Sequence, residues 1–110
     1  MSHITNRQSP RTFTLSPGVE TDVLFDAEGM DVTHAGKVVI LVSAGTAVVD
    51  SIRRYRTPLD TEAADPLNYG PVPSGTKKRL EWDDARGSGL RLTLTSTAGG
   101  TATVEAVAFS

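Results

Sequence analysis

Apolar residues recur at every second position through much of this chain. In residues 90–95, three leucines alternate with Arg91, Thr93 and Thr95. A β-strand points successive side chains to opposite faces, so this spacing gives one apolar and one polar face. The same alternation occurs in residues 12–16, 22–26, 80–83 and 101–108. No long window sustains the spacing of an amphipathic helix, and the sequence therefore predicts an all-β fold.

Seven strands are predicted, because turn-forming residues separate the alternating segments at regular intervals. They lie near residues 12–16, 20–26, 37–43, 46–55, 77–83, 89–96 and 101–109. Residues 37–43 are apolar on both faces, which is typical of a strand covered on both sides. Glycines in the turns predict two hairpins, one formed by residues 37–52 and one by residues 90–109. We expect a small antiparallel β-sandwich or barrel.

The alternation also predicts which side chains form the core. We expect this core to contain Phe13, Leu15, Val23, Phe25, Val38, Ile40, Val42, Val49, Leu80, Trp82, Leu90, Leu92, Leu94, Val104 and Ala106. The polar residues between them are expected to face solvent.

Two segments lack this periodicity. Residues 1–11 are polar and are predicted to form an extended N-terminal arm, which leaves residues 12–110 as a single β-sandwich domain. Residues 57–76 contain four prolines, which remove backbone donors and restrict the preceding residue, so we predict a long loop without regular structure. Long loops in compact domains are often functional or ordered by a partner.

The composition narrows the classes of function. A chain of 110 residues is enough for one domain. Its 11 Lys and Arg residues against 13 Asp and Glu give a net charge of −2, which disfavours nucleic-acid binding. Cysteine is absent, which excludes disulfides and thiolate metal sites. No apolar run approaches the roughly 20 residues of a membrane span, and we expect neither nucleic acid nor membrane as a partner.

No set of residues predicts catalysis. Ser88 is outside a Gly-x-Ser-x-Gly motif, and His3 and His34 fall in separate arm or loop segments without further ligands. The carboxylates of residues 26–31 are ligands that Ca²⁺ accepts, but they lack EF-hand spacing and are expected to form a solvated loop. We expect a protein that is not an enzyme and that uses no metal or other cofactor.

Charge is unevenly distributed along the chain. Residues 20–31 carry five carboxylates and no Lys or Arg. Two basic clusters flank the long loop, with Arg53, Arg54 and Arg56 before it and Lys77, Lys78 and Arg79 after it. A subunit with one acidic and one basic surface suits self-assembly or a lattice, where electrostatics set register and association rate.

The order of the segments in residues 36–110 is similar to that of a known class of small β proteins. An apolar strand and a hairpin precede a Pro-rich loop that closes on Val72-Pro-Ser-Gly-Thr76, and then come Leu80-Glu-Trp-Asp83, Leu90-Arg-Leu-Thr-Leu94 and Gly100-Thr-Ala-Thr-Val104. This order resembles small β-sandwich virion proteins of tailed bacteriophages. The resemblance implies a non-catalytic capsid decoration or stabilisation protein, made in the bacterial host cytoplasm. It would bind the major capsid protein or another virion protein as a homo-oligomer, with a trimer favoured.

Two other functions remain open. One is a phage head–tail connector or tail accessory protein. The other is a carbohydrate-binding or adhesion module, which stacks sugars on exposed aromatic rings. Only Tyr55, Tyr69 and Trp82 are candidates for such stacking, and Trp82 is expected in the core.

The arm and the long loop are predicted to bind the partner, because neither has the periodicity needed to join a core. The arm contributes Ile4, Arg7 and Arg11, and the loop contributes Leu59, Leu67, Tyr69 and Val72. The flanking basic clusters, Arg53, Arg54 and Arg56 with Lys77, Lys78 and Arg79, are predicted to pair with acidic groups on a neighbouring subunit.

Overall fold

The computed structural model describes residues 4–24, 36–55, 68–83 and 91–109. The strands in these ranges are β1 (Ile4–Leu15), β2 (Thr21–Leu24), β3 (Lys37–Ala44), β4 (Ser51–Tyr55), β5 (Lys77–Trp82), β6 (Arg91–Thr95) and β7 (Gly100–Phe109). Every pairing between them is antiparallel, so the predicted all-β antiparallel fold is confirmed. The same ranges contain no helix that could cross a membrane.

The strands form two sheets arranged as a sandwich. The four-stranded sheet has the order β1-β7-β3-β5, and the three-stranded sheet has the order β2-β6-β4. Among the seven described strands, each therefore lies in the opposite sheet from the one before it. This alternation, with the first and last of them paired beside each other, resembles the connectivity of a jelly roll, which has eight strands in two Greek keys.

Residues 68–72 extend the three-stranded sheet beyond β4. Val49 and Val72 form an isolated antiparallel bridge, and the Tyr69 amide donates a 3.0 Å hydrogen bond to the Ile52 carbonyl. The Asn68 side-chain oxygen accepts a hydrogen bond from the Ile52 amide at 3.0 Å. This part of the predicted Pro-rich loop thus belongs to the sandwich. Because single residues make the contacts of this segment with the sheet, its sequence has no alternating pattern that would predict a strand.

Both predicted hairpins are wrong. β3 and β4 lie in different sheets, and so do β6 and β7. The residues after β3 cross between the sheets, where the Gly45 amide donates a 2.9 Å hydrogen bond to the Thr101 carbonyl. A Cβ on Gly45 would lie 2.6 Å from the Thr101 hydroxyl and 3.0 Å from the Thr101 carbonyl oxygen, so a larger residue would force this approach apart. Glycine at this position serves a close crossing rather than a hairpin turn.

β1 begins eight residues earlier than the predicted strand at residue 12. Residues 4–11, predicted as an arm apart from the sandwich, pair with β7. The register shifts between Gln8 and Arg11, a stretch that contains Pro10. A bulge and a proline are both tolerated in an edge strand, and both interrupt the alternation that reveals a strand in the sequence.

The core agrees closely with the predicted set. Among the predicted residues in the described ranges, all are buried except Phe13, which is partly buried and packs against the core. Phe25 and Leu90 lie outside the described residues. The buried hydrophobic residues outside the predicted set are Ala44, Ala47, Ile52, Val72, Ala102 and Ala108. Three polar residues are buried as well, Arg54, Thr93 and Ser96, so the expectation that polar residues face solvent does not hold for them.

The two ends of the sandwich differ. At one end, short connections are tied together by hydrogen bonds from the Thr97 amide to the Asp50 carboxylate (2.7 Å) and from the Thr101 amide to the Thr46 hydroxyl (2.9 Å). The strand ends that flank residues 25–35, 56–67 and 84–90 all lie at the other end.

Candidate docking surface

The outer face of the four-stranded sheet, hereafter the docking face, carries apolar side chains that the second sheet does not cover. Even-numbered residues of β3 are buried against the other sheet, so Val39 and Leu41 point outward. Even-numbered residues of β7 from Ala102 onward are also buried, so Glu105 and Val107 point outward. All four side chains are partly buried on the docking face.

An open depression of about 240 Å³ lies in the middle of the docking face. It is lined by Val39, Leu41, Arg79, Glu105, Ala106 and Val107. Leu41 pairs across the sheet with Arg79 on β5 and with Glu105 on β7. The depression therefore has an apolar floor, with a basic side chain on one side and an acidic side chain on the other. Apolar patches rimmed by polar residues are typical of protein–protein contact sites.

Glu81 holds two basic side chains on the β5 side of the docking face. The Lys37 ammonium lies 3.1 Å from one carboxylate oxygen, and the Arg79 guanidinium lies 2.6 Å from the other. The hydrogen bond from Lys37 lowers the pKa of Glu81 below its ordinary value, and the positive charges of Arg79 and Lys37 lower it further. Burial acts in the opposite direction but does not reverse the shift.

We expect the Lys37→Met variant to raise the pKa of Glu81 towards its ordinary value. A carboxylate whose pKa is lowered by folding stabilises the fold above its unfolded pKa, and this contribution is lost as the pH falls through the folded pKa. The variant should therefore lose less stability on acidification than the parent protein. An NMR titration of the Glu81 carboxyl carbon measures the pKa, and acid unfolding curves measure the stability.

The matched control for this prediction is Lys78→Met, because the Lys78 side chain lies on the opposite face of β5 from Glu81 and makes no ion pair with it. Its Glu81 titration should match the parent curve. Lys37 and Glu81 are 40% and 39% exposed, so added salt should also reduce the shift in the parent protein. An unchanged pKa in Lys37→Met at low salt would contradict the assigned cause.

The two predicted basic clusters lie in different sheets. Lys77 and Arg79 are exposed on β5 in the four-stranded sheet. Lys78 is partly buried, and its side chain lies on the inner face of that sheet. Arg53 points outward from β4, in the three-stranded sheet, and is partly buried. Arg54 points inward and is 5% exposed. These described residues therefore do not form the single basic surface around the loop that the sequence suggested.

Arg54 belongs to an aromatic cluster inside the sandwich. Its guanidinium carbon lies 5.0 Å from the centre of the Trp82 ring. Tyr69 meets Trp82 edge-on at 5.4 Å, and the Trp82 indole donates a 3.3 Å hydrogen bond to the Tyr69 hydroxyl. Val72 is 1% exposed in the same core. Arg54 and Val72, two of the predicted partner-binding residues, are thus buried and have their side chains in contacts within the chain.

The predicted arm residues lie along β1. The backbones of Ile4 and Arg7 pair with Phe109 and Val107 of β7. The Arg11 guanidinium lies 4.7 Å from the centre of the Phe13 ring. The remaining predicted partner-binding residues, Arg56, Leu59 and Leu67, lie outside the described residues, as do residues 26–31, Ser88, His3 and His34.

The sequence prediction missed Val39, Leu41, Glu105 and Val107 as surface residues of interest. One signal was present, since residues 37–43 are apolar on both faces. In a two-layer sandwich, one of those faces has no second sheet to cover it. A strand of this kind therefore marks an outer face that carries apolar side chains.

In the described ranges, no group of three or more His, Asp and Glu side chains is arranged to hold a metal ion. The surface feature that stands out in these ranges is the apolar depression between Arg79 and Glu105 on the outer face of the four-stranded sheet. No family model matches the chain, and no curated protein is detectably similar to it in sequence.

Proposed function

We propose that this chain is a non-catalytic structural protein of a phage virion, most simply a subunit that decorates or stabilises a capsid. The observation that carries the proposal is the docking face, where Val39, Leu41 and Val107 line an open depression between Arg79 and Glu105. Such a surface recognises another folded protein through apolar burial, with charges to set the register.

The fold supports the same proposal by analogy. Jelly-roll sandwiches recur in viral capsid proteins and in lectins. A shared fold does not by itself assign a function, so the choice between these classes rests on the surface. The resemblance of residues 36–110 to phage virion proteins favours the capsid over the lectin.

The aromatic residues favour protein contact over sugar binding. Trp82 is buried, and Tyr69 packs edge-on against it. The Arg91 guanidinium lies 4.0 Å from the centre of the Tyr55 ring and covers one side of it. Sugar-binding modules need an open ring face, and these three rings are used in contacts within the chain.

Immunogold labelling of particles from the native source tests the proposal. An antibody is raised against the recombinant chain, and lysates are separated on a density gradient before labelling. We expect the chain to sediment with virus particles and the gold to spread over the shell. Labelling at a single vertex or along the tail would assign the chain to the connector or tail instead. A chain that stays at the top of the gradient, apart from all particles, would overturn a virion role.

A further inference from the structure

The docking face has a charge pattern that is complementary to itself. In the row that crosses β3 at Leu41, Glu105 lies on the β7 side and Arg79 on the β5 side. In the adjacent row, Ser43 lies between Thr103 on β7 and Lys77 on β5. In these two rows the apolar centre is flanked by acceptors on β7 and by cations on β5, whereas in the Val39 row Val107 lies on β7 and Glu81 on β5.

We propose that a second copy of this chain packs on the docking face, about a two-fold axis parallel to β3. Such an axis exchanges left and right across the sheet while keeping each row in place. Leu41 then meets Leu41 of the second copy, and Glu105 meets Arg79 of the second copy. The same rotation relates the reciprocal pair, so each ion pair forms twice, as an isologous interface requires. Because the proposed function rests on the same docking face, this inference names a second copy as the partner of that face; its test is self-association, whereas the virion role is tested by the labelling of particles.

Other axes fit the face less well. A two-fold axis across the strands through Leu41 would place Glu105 against Glu105 and Arg79 against Arg79, and like charges in contact disfavour association. The axis parallel to β3 also brings Thr103 against Lys77 of the second copy. Lys37 would meet its own copy at the end of the face, where its charge is already offset by Glu81 at 3.1 Å.

The exposure and the ion pairing of Glu105 and Arg79 are compatible with this dimer. Glu105 is partly buried on the apolar face, and it makes no ion pair with any residue in the described ranges. The Arg79 side chain is 64% exposed while it contacts Glu81. A guanidinium has five N–H donors, so Arg79 can hold Glu81 of its own copy and Glu105 of the other.

The size of the face suits a weak dimer. An axis along β3 places β5, β3 and β7 on β7, β3 and β5 of the second copy, and β1 lies beyond this overlap. With three strands spaced about 4.8 Å apart and the eight residues of β3 rising about 3.4 Å each, the overlap measures about 390 Å². A dimer would then bury about 800 Å² in total, the size of a weak and transient contact. Aligned packing of two such sheets places them about 10 Å apart, which matches contact between Leu41 side chains.

Two charge-reversed variants test the pairing by complementation. Glu105→Lys and Arg79→Glu should each weaken self-association at least tenfold, because each variant places like charges opposite each other. An equimolar mixture of the two should regain dimers, since each substituted side chain then meets an opposite charge. Sedimentation equilibrium at low salt measures the masses against the 11.6 kDa chain. Glu20→Lys, the same charge change at an exposed site between β1 and β2, should associate like the parent.

Other outcomes overturn the inference. A parent chain that stays monomeric up to millimolar concentration, or that forms trimers, would exclude the two-fold interface. Single variants that dimerise like the parent would place the contact elsewhere on the molecule. Failure of the mixture to regain dimers, with both variants folded by circular dichroism, would exclude the proposed pairing of Glu105 with Arg79.

Discussion

Replacing Leu92 by alanine is expected to lower the free energy of unfolding by about 2–5 kcal/mol, the usual range for truncating a buried leucine. Leu92 is fully buried in β6, the middle strand of the three-stranded sheet. Its neighbours across that sheet are Val23 and Arg54. Truncation leaves a cavity between two sheets that are fixed by their own hydrogen bonds, so the site closes only in part. Urea denaturation measures the change from the midpoint and the slope.

The matched control is Leu41→Ala, the same substitution on the outer face of the other sheet. Leu41 is only partly buried, so its truncation should cost less than about 1.5 kcal/mol. Both variants are compared at a protein concentration low enough to keep the chain monomeric. A larger loss for Leu41 than for Leu92 would mean that the inner and outer faces have been exchanged, as a one-residue register error would do.

The direction of the apolar side chains in the alternating segments could be predicted from the sequence, because it depends only on local alternation. Leu92 and Leu94 are buried as the pattern required, and so are Val38, Ile40 and Val42 in β3. The predicted number of strands also agrees with the seven in the described ranges. These properties follow from the period of two in a strand, which needs no knowledge of the neighbouring strand.

The order of the strands could not be predicted in the same way. A strand that turns back to its neighbour and a strand that crosses to the facing sheet both keep one apolar face, so their patterns are the same. Gly45 favours a tight hairpin turn as readily as it favours a close crossing beside Thr101. The distinction depends on contacts such as the hydrogen bond between Gly45 and Thr101, which join residues far apart in the sequence.

The docking face was missed for a related reason. Leu41, Arg79 and Glu105 are distant in the chain and become neighbours only because β3 lies between β5 and β7. The charge pattern that is visible along the sequence consists of clusters of like charge, such as Lys77, Lys78 and Arg79. Adjacent residues of a strand point to opposite faces, so such a cluster is divided by the fold, whereas charges on neighbouring strands are brought together.

Replacing Gly100 by alanine is expected to cost at least about 2 kcal/mol, because backbone strain and a steric clash each cost about 1–3 kcal/mol. Gly100 begins β7 with a φ of 125°, a conformation that residues with a side chain rarely adopt. A Cβ at this position would lie 2.7 Å from the Ala47 amide nitrogen and 2.8 Å from the Thr46 hydroxyl. Backbone cannot move aside as a flexible side chain can.

Gly18→Ala gives the cost of a positive φ without a steric clash. Gly18 has a φ of 71°, and a Cβ there would meet nothing within 4 Å. Its substitution should therefore carry a conformational cost alone, about 1–2 kcal/mol. The excess loss in Gly100→Ala then combines the greater strain of its φ of 125° with the close approach of the crossing after β3 to the start of β7. Urea denaturation of both variants gives the two values under the same conditions.

The comparison tests the jelly-roll connectivity itself. In the alternative with two hairpins, Gly100 would end the turn between β6 and β7, and residues 46–47 would continue directly into a strand paired with β3. No close approach to Gly100 would be required there, and the two glycine variants would lose similar stability. Equal losses would therefore favour the hairpins, whereas a clearly larger loss in Gly100→Ala supports the crossing, in which the Thr46 hydroxyl accepts a 2.9 Å hydrogen bond from the Thr101 amide.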